Sequence, residues 1–207
     1  MFFKKNELRQ SWENNYGFFY FQSCQLSLMN YFHSQYTQIL EKLEMLRDLP
    51  LAQERLELYS DQLFNTTQAM SRVHQQSAQF FDEGNSYPIN WNEFAQVFQD
   101  ISFIWAASEV TVDLANSSSS IESTRAYLSA IALGFSKTIM TCEYSCVKII
   151  VNQGLQIEIG SLSSNPFEKI KGSLFEQSWK SLLLTNNLNL SVTIQDQTTR
   201  FNFKIIK

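Results

Sequence analysis

Residues 29–46 read MNYFHSQYTQILEKLEML and residues 56–73 read LELYSDQLFNTTQAMSRV. In the first, Met29, Phe32, Tyr36, Ile39, Leu43 and Leu46 recur at alternating steps of three and four. In the second the apolar positions are Leu56, Tyr59, Leu63, Met70, Val73 and, further on, Phe80; Thr66 and Ser77 fill the two missing steps. This is a heptad seam, which keeps one stripe of a helix turned toward a partner. The two patterns are separated only by the residues around Asp48 to Leu51. A connection that short predicts antiparallel neighbours, with Pro50 in the turn or at the first helical position, where its missing N–H costs little. A two-helix hairpin cannot bury both its sides alone. It must pack on the rest of the chain, on a second copy, or on both.

The chain has 207 residues, 44% of them hydrophobic and 14% aromatic, with 17 Phe but only six Gly and three Pro. That composition predicts a packed globular protein of one or two domains with long regular elements. A formal net charge of −4 supplies no phosphate-neutralising surface, so nucleic acid is not an expected partner. No apolar run is long enough to span a bilayer, and the N-terminal residues lack a signal-peptide core, so no membrane partner is expected and the protein reads as cytoplasmic. Cys24, Cys142 and Cys146 are an odd set for a disulfide framework. Cys142 and Cys146 lie four apart, but no His or third Cys stands near them in sequence. They read as reduced residues, and no metal is expected.

Outward from the hairpin, residues up to Gln22 end in an aromatic cluster, Tyr16 to Phe21, that reads as an extra helical turn packed on the bundle. Asp82 to Pro88 are dense in turn formers and mark a domain boundary, giving domains 1–84 and 85–207. Trp91, Phe94, Ala95 and Phe98 have helical spacing. Val110, Val112 and Leu114 alternate as a strand. Ser117 to Ser120 read as a polar loop. From about Ile121, Tyr127, Leu128, Ile131, Leu133, Phe135, Ile139 and Met140 cover so much of a helix that it must be deeply buried. Two hairpins of alternating strands follow, 147–159 across Asn152-Gln153-Gly154 and 190–205 across Asp196 to Thr199, with short helices between them around Pro166 and Trp179. The expected fold class is α+β: an antiparallel helical hairpin, then an α/β sandwich whose sheet is buried on one side and wet on the other.

This layout is similar to that of histidine-kinase catalytic cores, and the chain resembles the alphaproteobacterial ChpT-type histidine phosphotransferases, degenerate kinases in form. The matching segments are Leu40 to Leu46 at the end of helix 1, Leu56 to Ser60 at the start of helix 2, and Tyr127 through Gly160 in the kinase-like domain. The resemblance implies a homodimer whose hairpins form a four-helix bundle. A helix-1 histidine would relay phosphate between receiver-domain aspartates, and a histidine-kinase ATPase-like sandwich would help dock the receiver without nucleotide. The family carries His-Asp about a dozen residues before the end of helix 1, and counting back from Leu43 to Leu46 puts Asn30-Tyr31 there. Asn30 cannot accept a phosphoryl group, and Tyr31 cannot serve as the acid–base neighbour. His33 lies one turn on, roughly 60° round the helix. It is the candidate phosphoacceptor, weighed against a plain surface histidine; His74 is a weaker one beside the seam. The helical wheel sets Asn30, His33, Ser34 and Thr37 together as the candidate receiver-docking face.

Kinase ATP sites use asparagines on the buried helix, an Asp-x-Gly-x-Gly motif and a second Gly-rich loop. Residues 128–141 hold no Asn, Asp or Glu, and no Asp-x-Gly-x-Gly occurs. No cofactor and no ATPase or kinase activity are therefore expected. There is no Walker loop, His-Glu-x-x-His or Gly-x-Ser-x-Gly either. Two readings stand: a phosphotransferase-like protein that docks a response-regulator receiver, as an altered relay or a non-catalytic adaptor, and a structural protein that dimerises through its hairpin with no phosphorelay role.

Overall fold

The computed structural model of the chain describes residues 2–47, 53–78, 87–102, 110–114, 120–139, 142, 146–160, 162 and 165–206. It opens on helix α1 (Phe2–Trp12), a π-helical turn (Glu13–Gly17) and helix α2 (Phe18–Arg47), which follow one another without a break. Helix α3 (Gln53–Ala78) lies beside α2. The expected extra turn before the hairpin is thus a full helix. The π-turn inserts one residue into the helical ladder. It brings Trp12 and Tyr20, eight apart, to within roughly 20° of one face instead of 80°, and their rings pack edge to face at 5.6 Å.

The remainder is β1 (Tyr87–Asn90), α4 (Trp91–Ser102), β2 (Val110–Leu114), β3 (Ser120–Ser123), α5 (Arg125–Ile139), β4 (Cys146–Val151), β5 (Leu155–Gly160), a 3₁₀ turn (Pro166–Ile170), α6 (Leu174–Thr185), β6 (Leu188–Gln195) and β7 (Thr198–Ile205). The main sheet runs β2-β4-β5-β7-β6, parallel between β2 and β4 and antiparallel elsewhere. Strands β1 and β3 form a separate antiparallel pair. The chain is therefore α+β, a long helical hairpin followed by a mixed five-stranded sheet.

Alternation decides the sheet's two faces. Val147, Ile149, Val151, Leu155, Ile157, Ile159, Phe201 and Phe203 are buried against the helices. The opposite face is polar: Glu158 accepts from Gln156 Nε2 at 2.8 Å and pairs with Arg200 Nε at 2.7 Å. Helix α5 is buried almost all round, because α4 and α6 flank it and α2 and α3 lie across it. It starts at Arg125, not Ile121, because Thr124 Oγ1 caps the Tyr127 N–H at 3.2 Å. The residues before it pair as β3 instead of continuing the polar loop.

The hairpin has two unlike halves. Trp12, Tyr20, Cys24, Leu28 and Phe32 belong to the same core cluster as the sheet and α4–α6. Their spacing of four after Tyr20 replaces the expected seam at its start, where Met29 is exposed. The lower part of α2 packs on the body, so its buried stripe is phased to α5 and α6. Beyond Phe32, Ile39 is buried while Tyr36 and Leu43 are half-buried. On α3, Tyr59, Leu63 and Thr66 are half-buried and Leu56 is exposed. The boundary expected at 84/85 lies outside the described residues. No helix among the described residues is long and apolar enough to cross a membrane.

Candidate functional site

Asn30, His33, Ser34 and Thr37 occupy successive i, i+3, i+4 and i+7 positions of α2, so they share a face. All four are exposed, opposite the buried Leu28, Phe32 and Ile39. They stand where α2 leaves the body and the projecting part of the hairpin begins. Thr37 Oγ1 donates to the His33 carbonyl at 2.9 Å, which settles that hydroxyl on its own backbone. Gln38 Nε2 reaches Ser34 Oγ at 3.5 Å. Across the hairpin, the Tyr36 and Thr67 hydroxyls share a hydrogen bond of 2.8 Å that fixes α3 against α2.

Among the described residues no hydrogen bond or ion pair reaches the His33 imidazole. The ring is open to an incoming group, with no carboxylate among the described residues bonded to it to orient it or fix its tautomer. Asn30 offers an exposed amide. The His74 side chain lies outside the described residues.

Sequence reasoning missed the apolar setting of this face. Leu26 and Met29 are 61% and 65% exposed, and Leu40 is 52% exposed. They lie at −7, −4 and +7 from His33, so the histidine sits in an exposed apolar stripe. On α3, Leu58 and Phe64 are also exposed, 54% and 61%. The signal is present in the 100° step, but the three/four spacing puts Met29 in the seam.

The cysteines do not gather. Cys24 is buried, Cys142 half-buried and Cys146 exposed. Burial pushes the Cys24 thiol up to about 12, against the pull of the nearby Lys137 ammonium. The described residues hold no cluster of three or more His, Cys, Asp or Glu able to bind a metal.

Helix α5 is spent on packing. Leu128, Ile131 and Phe135 are fully buried. The hydroxyls of Ser136 and Thr138 donate back to the carbonyls of Ala132 and Gly134, each at 2.8 Å. Tyr20 OH donates to Ala130 O at 2.8 Å and Trp179 Nε1 to Ile131 O at 3.2 Å. A recess of about 110 Å³ between β1, α4 and α5, lined by Tyr87, Glu93 and Arg125 among others, is below the roughly 300 Å³ at which ligand pockets begin.

No protein-family model matches the sequence, and no curated protein matches it. Solved structures do resemble the fold. The Acinetobacter baumannii histidine kinase AdeS is 12% identical over 84% of this chain and 95% of its own, with a TM-score of 0.42. The histidine kinase domain of an Erythrobacter litoralis blue-light activated kinase is 13% identical over 82% and 95%, with a TM-score of 0.44. A bacterial phosphotransferase is 11% identical over 88% and 94%, with a TM-score of 0.48.

Proposed function

We propose that the chain is a cytoplasmic, homodimeric, phosphotransferase-like protein of two-component signalling. Its hairpin, within residues 1–84, pairs with a second copy as a four-helix bundle and docks a response-regulator receiver domain. Residues 85–207 support that docking without nucleotide. The observation that carries this reading is the exposure of Asn30, His33, Ser34 and Thr37 on one face of α2, set in an uncovered apolar stripe. The ATP-free reading rests on α5, whose Ser136 and Thr138 hydroxyls are engaged with backbone and whose sequence carries no Asn, Asp or Glu.

An unassisted relay would move the phosphoryl group from a receiver aspartate to a nitrogen of His33. That needs the neutral ring and an in-line approach. The exposed ring permits the approach. Asn30 at the family's phosphoacceptor position, and the missing carboxylate near His33, favour an adaptor that holds a receiver without taking its phosphate.

The test mixes the protein with receiver domains phosphorylated on aspartate. Binding without acid-labile phosphate on this chain supports the adaptor. Transfer that disappears in His33→Ala supports a relay through His33. Ser34→Lys, on the same face, is expected to weaken receiver binding by about tenfold. If no receiver binds, the alternative takes over: a structural protein that dimerises through its hairpin with no phosphorelay role.

A further inference from the structure

Among the described residues, strand β6 closes one edge of the main sheet. It pairs with β7 through eight consecutive positions without a bulge, from Leu188 opposite Ile205 to Gln195 opposite Thr198. Its sequence, LNLSVTIQ, has no charge and no Pro. Sheet edges are normally blunted by lysines, prolines, bulges or a covering element, because their outward N–H and C=O groups template another strand. Strand β6 carries no charge, proline or bulge. Its apolar row also runs outward uncovered: Leu188 is buried, Leu190 and Val192 are half-buried against the core, and Ile194 is 62% exposed.

We propose that this edge is a self-association surface, on which β6 of a second copy adds as an antiparallel strand. The segment is complementary to itself. In an antiparallel pairing about a twofold axis normal to the sheet, even-numbered residues oppose even-numbered ones. Leu190, Val192 and Ile194 of both copies then lie on the helix side, and Asn189, Ser191 and Thr193 on the wet side. No like charges meet anywhere along the seam. The two five-stranded sheets become one ten-stranded sheet. This surface is separate from the hairpin and does not depend on the reading of that site.

The test is amide hydrogen exchange of the full chain over a wide range of protein concentration, with sedimentation run alongside. Protection of alternate amides in 188–195 is expected to rise with concentration, together with a heavier species. Ile194→Lys, at an exposed position, and Val192→Lys are each expected to abolish the concentration dependence while circular dichroism stays unchanged. Phe64→Glu, on the hairpin, is expected to leave it intact. Concentration-independent exchange of β6 in the wild type overturns the proposal. So does a dependence that survives Ile194→Lys.

Discussion

Gly134 stands in the middle of α5, where helices disfavour glycine by about 1 kcal/mol relative to alanine. The reason is crowding. A Cβ there would overlap the Tyr20 hydroxyl and lie 2.7 Å from Trp179 Cδ1. Both side chains are buried and held by α5 carbonyls one turn earlier. Gly134→Ala is expected to destabilise the fold by about 1–3 kcal/mol in urea denaturation. Tyr20→Phe, which removes the overlapping hydroxyl, should make the same change cheaper, a coupling that a double-mutant cycle reads directly. Cys24 makes a second residue-scale prediction. With its thiol held up near 12 by burial, it stays protonated at neutral pH and should react with thiol reagents only after unfolding, while the exposed Cys146 reacts in the native state. The stability linked to Cys24 is fully present below its unfolded pKa of about 8.5 and is lost as pH rises toward 12. Neither environment was legible in the sequence, which shows a glycine and a cysteine but not the elements that close over them.

At the scale of elements, those with a complete repeating pattern were legible. The four alternating runs became β4 to β7, and the apolar surface of residues 127–139 became a helix buried almost all round. Helix α1 was not legible, because the buried positions among its described side chains are only Arg9 and Trp12, too few to make an apolar stripe. Arg9 is buried, donates to Glu122 O at 3.0 Å and Asn186 Oδ1 at 3.3 Å, and lies 5.0 Å over the Tyr127 ring. Burial pulls its pKa down, partly offset by Tyr127, Glu122 and Glu13. Strands β1 and β3 are four residues each and were hidden by Pro88 and a serine run. At the β6–β7 turn, Asp196 and Gln197 have φ of 47° and 65°, the left-handed geometry of a type I′ turn, which favours Asn-Gly. Gln197→Gly is therefore expected to raise stability by about 0.5–1 kcal/mol, measured as a shift in the urea midpoint.

For the whole molecule, the hairpin divides into a part held in the core and a part that stands clear of it. Burial at the base explains why the chain folds around α2. Above it Leu40, Met45, Leu58 and Phe64 are exposed. Leu40→Glu with Phe64→Glu is expected to shift sedimentation toward monomer and leave the thermal midpoint nearly unchanged, since neither side chain contributes to the buried cluster. That Asn30, His33, Ser34 and Thr37 share one face of α2 was legible from the helical wheel alone, because a wheel needs only periodicity. The register of the seam was not, because Met29 and Leu28 are adjacent and only the docked body decides between them.

The 30 residues of α2 make a rod of about 45 Å. One end is gripped by Tyr20, Cys24 and Leu28, and the other is free of the body. A rod cannot roll at its anchored end without sweeping its far side through the same arc. Any molecule that grips the His33 face and turns it therefore applies torque to the Trp12–Tyr20 socket, and loosening that socket changes the direction in which the imidazole points.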